Sequence, residues 1–312
     1  MIPSIDLKDF LSGDPIKKNN FVQALGSAYQ EIGFVALKGH LLEEQVSTQL
    51  YAECQAFFAL PEPIKKQYEI AGLAGQRGYT SFGKEHAKGR NEGDLKEFWH
   101  FGQLVTEADV MSEEYPENVL VSELPDFNKY GLLAYQQLEE TGKYMLRAIA
   151  LFLELDEFYF DDKIYKGNSI LRPIHYPPIT AEPKSAVRAA EHEDINLITL
   201  LMGASADGLQ VLNKQNEWVS ITALPEQLVV NVGDMLQRLT NNVLKSTTHR
   251  VVNPPKEKWG SSRFSIPFFL HPRSEMRLDA LPQCISEANP VKEEPISAGE
   301  YLIQRLKEIG LK

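Results

Sequence analysis

Only two cysteines, Cys54 and Cys284, occur in the 312 residues. Two thiols cannot build a disulfide framework, and their scarcity fits a reducing compartment such as the cytoplasm. No stretch approaches the roughly 18 uninterrupted apolar residues that mark a membrane span. The opening segment MIPSIDLKDF lacks the basic start and apolar run of a secretory signal. Basic residues are outnumbered by acidic ones, 32 against 43, and they form no long run. The net charge of -11 opposes a phosphate backbone, so no nucleic-acid partner is expected. Internal repeats and low-complexity segments are missing. A Walker loop, a dinucleotide glycine fingerprint, an HExxH pair and a nucleophile elbow are also absent, which removes sequence support for those enzyme classes.

What is present is an ordinary globular composition, 43% hydrophobic and 24% charged, in a chain long enough to bury a large core. Residues 3–7 and 34–37 read as short strands. Phe21, Leu25, Ala28, Tyr29 and Ile32 recur at helical spacing, and Gly33 ends that pattern. A second helix is predicted from Leu42 to Phe58, stopped by Pro61 and Pro63, and residues 70–125 read as irregular. The longest helix is predicted over Asp126–Leu155, with a broad apolar face. After Lys166, short runs rich in Val, Ile, Leu and Phe recur at 169–175, 196–202, 208–212, 217–220, 227–232, 247–252 and 262–270, separated by turn residues. That rhythm reads as a sandwich or barrel. A closing helix is predicted over Ser297–Ile309.

The fold expected is therefore mainly β with flanking helices (α+β), a jelly roll carrying a helical N-terminal region. Four stretches of one compact unit follow: 1–125, the N-terminal region; 126–165, a long scaffold helix; 166–275, the jelly-roll core; and 276–312, a C-terminal helical segment.

The sharpest chemical signal is His192-Glu193-Asp194. In extended backbone, residues two apart share a side, so His192 and Asp194 would present an imidazole and a carboxylate together. The apolar run LITLL at 197–201 follows at once, placing the pair at the mouth of a buried strand. His249, in STTHRVVNP, starts another apolar run. Two histidines and one carboxylate fill one face of an octahedron and leave three positions open, which suits non-haem Fe(II) oxygen chemistry. A structural zinc site would want four ligands, usually including Cys. Arg263-Phe264-Ser265 is the other motif. Arg263 and Ser265 share a strand face, and a guanidinium beside a hydroxyl is a good receptor for a carboxylate. Among other polar residues, His100 reads as packed among aromatics, His86 as a loop residue, His175 as structural and Asp234 as the fixing residue of a turn.

These motifs, in this order and spacing, resemble the Fe(II)/2-oxoglutarate-dependent dioxygenases, and within them the isopenicillin N synthase-like branch. IPSIDL (2–7), GFVALKGH (33–40), LRPIHYPP (171–178), GLQVL (208–212), VNVGDMLQRLTN (230–241) and KSTTHRVVNP (245–254) carry the likeness along most of the chain. The resemblance implies a distorted double-stranded β-helix. It implies His192, Asp194 and His249 as iron ligands, Arg263 and Ser265 as holders of the far carboxylate of 2-oxoglutarate, and Tyr176 as a contact to that co-substrate. The segment departs from the family's Asn-Tyr-Tyr-Pro pattern, with Ile174 and His175 in the first two places. The implied reaction uses Fe(II), 2-oxoglutarate and O2 to oxidise, most commonly hydroxylate, a small-molecule substrate, releasing succinate and CO2. Alternatives are an oxidase of the same branch that does without 2-oxoglutarate, a non-catalytic jelly roll that binds a carboxylate, and a zinc lyase or hydrolase. The substrate and the oligomeric state are left open by the sequence.

Overall fold

The computed structural model describes residues 2–308 except 74, 86–92, 106–114, 184–185, 204–206, 223 and 225. The chain opens with β1 (Ser4–Asp6), α1 (Leu7–Leu11) and α2 (Pro15–Glu31). Asp14 caps α2 by accepting from the Ile16 and Lys17 amides, and Pro15 supplies the preset first turn. Gly33, at φ +74, ends it where a Cβ would lie 2.2 Å from the Lys245 carbonyl oxygen. β2 (Phe34–Lys38), α3 (Glu44–Phe58) and α4 (Glu62–Gln67) follow. The proline pair thus ends one helix and starts another.

The stretch expected to be irregular contains two strands, β3 (Gly78–Thr80) and β4 (Glu97–Gly102). Every residue of β4 is buried, polar Glu97 and His100 included. Covered on both faces, this strand shows no alternation for a sequence reading to detect. α5 (Pro125–Phe152) is the long helix predicted. Its buried stripe runs from Phe127 through Gly131, Leu138 and Gly142 to Ile149, packing against α2, α3 and the sheet. α6 (Asp161–Ile164) leads into the β-rich half.

That half comprises β5 (Ile170–Leu171), β6 (Ile174–Tyr176), β7 (Ala189–His192), β8 (Ile198–Met202), β9 (Leu209–Leu212), β10 (Trp218–Ser220), β11 (Leu228–Val232), α7 (Asp234–Leu239), β12 (His249–Val251) and β13 (Arg263–Leu270). α8 (Ala298–Glu308) closes the described chain. Two sheets form. The larger runs β1-β2-β11-β8-β13-β5-β4-β3, with β6 pairing β13 and β4; the smaller runs β10-β9-β12-β7. They pack face to face as a jelly roll. Phe34, Ala36 and Val229 of the large sheet meet Leu209 and Val211 of the small one, while Phe98, Ile174 and Tyr176 meet Ala189 and Val251. Among the described residues no helix is long and apolar enough to cross a membrane.

Candidate metal centre and its cavity

His192 is the last residue of β7 and His249 the first of β12, and the antiparallel ladder pairs these two positions directly. Asp194 lies just beyond β7, on the way into β8. Nε2 of His192 is 3.9 Å, and Nε2 of His249 is 3.7 Å, from Asp194 Oδ1. The ligand atoms of all three lie within 4.8 Å of one another. The sequence-predicted triad is thus brought to one point by residues far apart in the chain.

Hydrogen bonds prepare the cluster for a cation. His192 Nδ1 donates to the Ala190 carbonyl at 2.7 Å, and His249 Nδ1 to the Thr247 carbonyl at 3.0 Å. A ring that donates from Nδ1 keeps its lone pair on Nε2, so both lone pairs face Asp194. Asp194 Oδ2 accepts from Thr199 Oγ1 at 2.6 Å and from Asn231 Nδ2 at 2.8 Å, leaving Oδ1 for the imidazoles' side. Burial, the neighbouring His249 ring and Lys96 hold His192 below the usual imidazole range, against the opposing pull of Asp194. Burial alone would raise the Asp194 carboxyl, but the two imidazoles and its two hydrogen bonds outweigh it and hold it low. An unprotonated imidazole and an ionised carboxylate are the forms that bind metal. Phe34 packs edge-on to the His249 ring, 5.7 Å between centroids. The donor set fits a divalent cation with open positions, and both cysteines are buried and outside the cluster.

Arg263 and Ser265 project from β13 of the opposite sheet. The Arg263 side chain is fully buried and Ser265 nearly so. β6 pairs with β13 so that Tyr176 lies opposite Arg263, whose guanidinium sits 5.0 Å over the Tyr176 ring. A cavity of ≈ 440 Å³ is lined by the triad together with Arg263, Ser265 and Tyr176. The six residues singled out in the sequence therefore share one chamber, the His-Asp-His cluster on the side of the small sheet and the Arg-Ser pair on the large one.

Other expectations resolve as follows. His175 faces away from that chamber, bonded to Glu97 at 2.7 Å and Ser262 at 3.1 Å and stacked on Phe264 at 4.7 Å, as a structural residue. Asp234 starts α7, donates its amide to the Asp194 carbonyl at 2.7 Å and pairs with Arg305 of α8 at 3.4 Å. His86 lies outside the described residues. His100 is buried as expected, but it also lines the cavity.

Sequence reasoning missed a buried charge cluster on the chamber wall. Lys96 binds Glu85 at 2.7 Å and Asp94 at 2.8 Å, and Arg172 binds Glu85 at 3.2 Å. Asp94 also accepts the Ala190 amide at 3.1 Å, so it braces the outer edge of the strand that carries His192. Glu85, Asp94 and Lys96 sit in the stretch read as irregular, where the expectation is a solvated loop. Only pairing across strands permits their burial.

Comparison with known proteins agrees with this geometry. Residues 2–123 match the family described as non-haem dioxygenase in morphine synthesis N-terminal, and residues 167–272 match the 2OG-Fe(II) oxygenase superfamily. A proline hydroxylase, buaE, of Petromyces alliaceus is 31% identical over 98% of this chain and 98% of its own length. A crystal structure of a 2OG-Fe(II) oxygenase family protein from Caulobacter crescentus superposes with TM-score 0.88, at 41% identity over 99% of both chains. A full-length Neurospora crassa protein, solved in complex with alpha-KG and thymine, superposes with TM-score 0.85, at 31% identity over 98% of this chain and 96% of that one. With its jelly roll, its His-Asp-His cluster and these likenesses, the chain belongs to the 2OG-Fe(II) oxygenase superfamily and is a non-haem Fe(II)- and 2-oxoglutarate-dependent dioxygenase.

Proposed function

We propose that His192, Asp194 and His249 hold the Fe(II) of this oxygenase, and that Arg263 and Ser265 hold the distal carboxylate of 2-oxoglutarate, with Tyr176 as a further contact to that co-substrate. The observation that carries this reading is the orientation of the triad. Both imidazoles spend Nδ1 on a backbone carbonyl, and Asp194 spends Oδ2 on Thr199 and Asn231, so three donor atoms converge. Bound there, the ferrous ion with 2-oxoglutarate and O2 supplies the oxidising chemistry that releases succinate and CO2 and oxidises a substrate C–H bond.

The chain's own residues have separate tasks. Ala190 and Thr247 fix the tautomer and aim of the rings through their carbonyls. Thr199 and Asn231 keep Asp194 from rotating. Arg263, buried beside Ser265, offers a charge-assisted anchor that fixes one end of a dicarboxylate. Leu201, Leu209 and Val251 line the same chamber and exclude water from it.

The substrate is a small molecule, and its hydroxylation is the outcome we favour. buaE is named a proline hydroxylase and the Neurospora crassa structure holds thymine, which supports small polar substrates for this chain as well. In this reading residues 1–125 form the N-terminal dioxygenase region, 126–165 the scaffold helix, 166–275 the oxygenase core and 276–312 the C-terminal helical segment, working as one unit. The two free thiols and the need for ferrous iron support a cytoplasmic setting.

The test is anaerobic addition of 2-oxoglutarate to the Fe(II)-loaded protein. A weak visible charge-transfer band and a thermal midpoint that rises with the logarithm of ligand concentration are expected. Arg263→Gln should lose most of both effects, and Arg263→Lys should keep part, since charge survives and the planar fork does not. Neither band nor shift at millimolar 2-oxoglutarate would sink the reading, as would zinc rather than iron in protein purified without air.

A further inference from the structure

Arg172 connects β5 to β6 and lines the same cavity as the triad. Its guanidinium is clamped on three sides. Nε donates to His100 Nε2, Nη1 donates to Glu85 Oε1 at 3.2 Å, and the plane lies 4.3 Å from the Phe98 ring centre and 5.1 Å from that of Phe269. A long side chain so held has lost its rotamer freedom in advance, which lowers the entropy cost of any contact it makes later. Its remaining nitrogen, Nη2, makes no hydrogen bond among the described residues. Glu85 Oε2, at the other end of the same ion pair, is buried and likewise has no partner among them. The clamped ion pair therefore carries a spare donor and a spare acceptor, on two residues that line the cavity.

His271 follows β13 and lines the cavity too. Its Nδ1 is buried without a hydrogen-bond partner among the described residues. Burial brings its pKa down to about 4. At neutral pH the ring is uncharged and can donate from one nitrogen or accept at the other.

Charge on this wall is already balanced. Lys96 is paired with Glu85 and Asp94, Arg172 with Glu85, and Arg305 with Asp234 and Glu308. Arg263 is the remaining Lys or Arg lining the cavity, and the proposed function assigns it to the co-substrate. An anionic substrate would enter a chamber that also presents Glu193 and Glu191, the latter paired with Arg250, with no unassigned Lys or Arg on its wall. An uncharged ligand that both accepts and donates meets no such opposition. Ile170, Phe269, Leu302 and Leu306 add apolar wall, and Gln76 and Asn168 add uncharged polar groups.

We propose that Arg172, Glu85 and His271 form the substrate subsite, and that it selects a small uncharged molecule carrying a carbonyl beside an N–H, the edge of a cyclic amide, imide or ureide. The carbonyl accepts from Arg172 Nη2, the adjacent N–H donates to Glu85 Oε2, and His271 satisfies a further polar atom. The inference rests on the co-substrate reading, because that reading assigns Arg263.

The test uses the full chain loaded with Fe(II) and 2-oxoglutarate without oxygen, read by calorimetry and by thermal midpoint. Thymine and 2-piperidone serve as uncharged cyclic amides, and phenylacetate as a carboxylate of similar size. At least one cyclic amide should bind and raise the midpoint, and phenylacetate should not. Arg172→Lys keeps the charge and loses the spare nitrogen. It should weaken cyclic-amide binding by about tenfold or more, as expected for a lost hydrogen bond to a charged group, while the 2-oxoglutarate shift stays. His271→Phe keeps a ring and removes an unpartnered buried nitrogen. It should leave the ligand-free midpoint equal or higher and still weaken the amide, which a purely structural role for His271 would not do. Binding by neither cyclic amide, tighter binding of phenylacetate, or unchanged amide affinity in both variants would overturn the subsite. Loss of the 2-oxoglutarate shift in the unmodified protein strikes the co-substrate reading instead, and the calorimetric arm still decides the subsite.

Discussion

His192 and His249 are cross-strand partners: the β7–β12 ladder sets them opposite each other, with ring centres 4.4 Å apart. Backbone pairing, not a flexible loop, therefore sets the spacing of two proposed metal ligands, and a site on rigid strands keeps its geometry before any metal arrives.

From that arrangement, His192→Ala, Asp194→Ala and His249→Ala should each lower Fe(II)-dependent turnover by more than about a hundredfold. The two histidine variants should keep their circular-dichroism spectrum. Asp194→Ala should also lose stability, on the order of 1–3 kcal/mol, because Thr199 and Asn231 lose their shared acceptor. Full activity with normal iron content in any of the three would remove that residue from the site.

Asn231 donates to Asp194 Oδ2 at 2.8 Å and, if Asp194 is a ligand as proposed, should act on the iron through it. Asn231→Leu should weaken iron binding by about tenfold to a hundredfold with a smaller effect on fold stability. Iron affinity measured by competition with a chelator checks this. An unchanged affinity would show that Thr199 alone suffices to orient the carboxylate.

In the metal-free protein, stability should fall as pH drops through the range from about 6.5 to about 4. Burial lowers His271 to about 4 and holds His192 and His100 below the usual range. Between the unfolded and folded values the unfolded chain binds more protons, so stability rises with pH there and is fully present above about 6.5. Urea midpoints measured across that range should show the slope. Loading iron should extend the part due to His192 to lower pH, because a metal-bound imidazole resists protonation, and leave the part due to His271. A flat metal-free profile would contradict the burial of these rings as neutral groups.

Cys54 and Cys284 should both be free thiols and slow to alkylate in the native state. Both are buried, and burial raises both thiols above the ordinary range, Cys54 strongly, so little thiolate forms at neutral pH. Alkylation under denaturing, non-reducing conditions followed by mass measurement should find two modified cysteines. A mass lower by two hydrogens across the pair would refute the prediction.

Helix α5 approaches the sheet through a residue with no side chain. A Cβ at Gly131 would lie 2.3 Å from the Phe101 ring. Gly131→Ala should therefore destabilise the protein by about 1–3 kcal/mol despite alanine's better helix propensity. Gly260→Ala, where a Cβ meets nothing within 4 Å, is the control and should be near neutral. Equal denaturation midpoints for the two variants would show that the helix can shift away at little cost.

The sequence by itself determined the elements whose periodicity reaches the surface, and the chemistry of the centre. The amphipathic stripe of α5, the strands β8, β11 and β13, and the His192, Asp194, His249, Arg263 and Ser265 set were legible, because local spacing fixes which side a residue faces. β4 and β7 were not. β4 is covered on both faces and so does not alternate, and β7 is four residues long with two alanines. Tertiary structure alone decided what those hidden strands bring together. It paired His192 with His249, set Tyr176 opposite Arg263, and buried Glu85, Asp94, Lys96 and Arg172 as one neutral cluster. Each of those charges read singly belongs in water. Only partners from distant segments, delivered by the sheet, offset the cost of desolvating them, and no local pattern records which segments will meet.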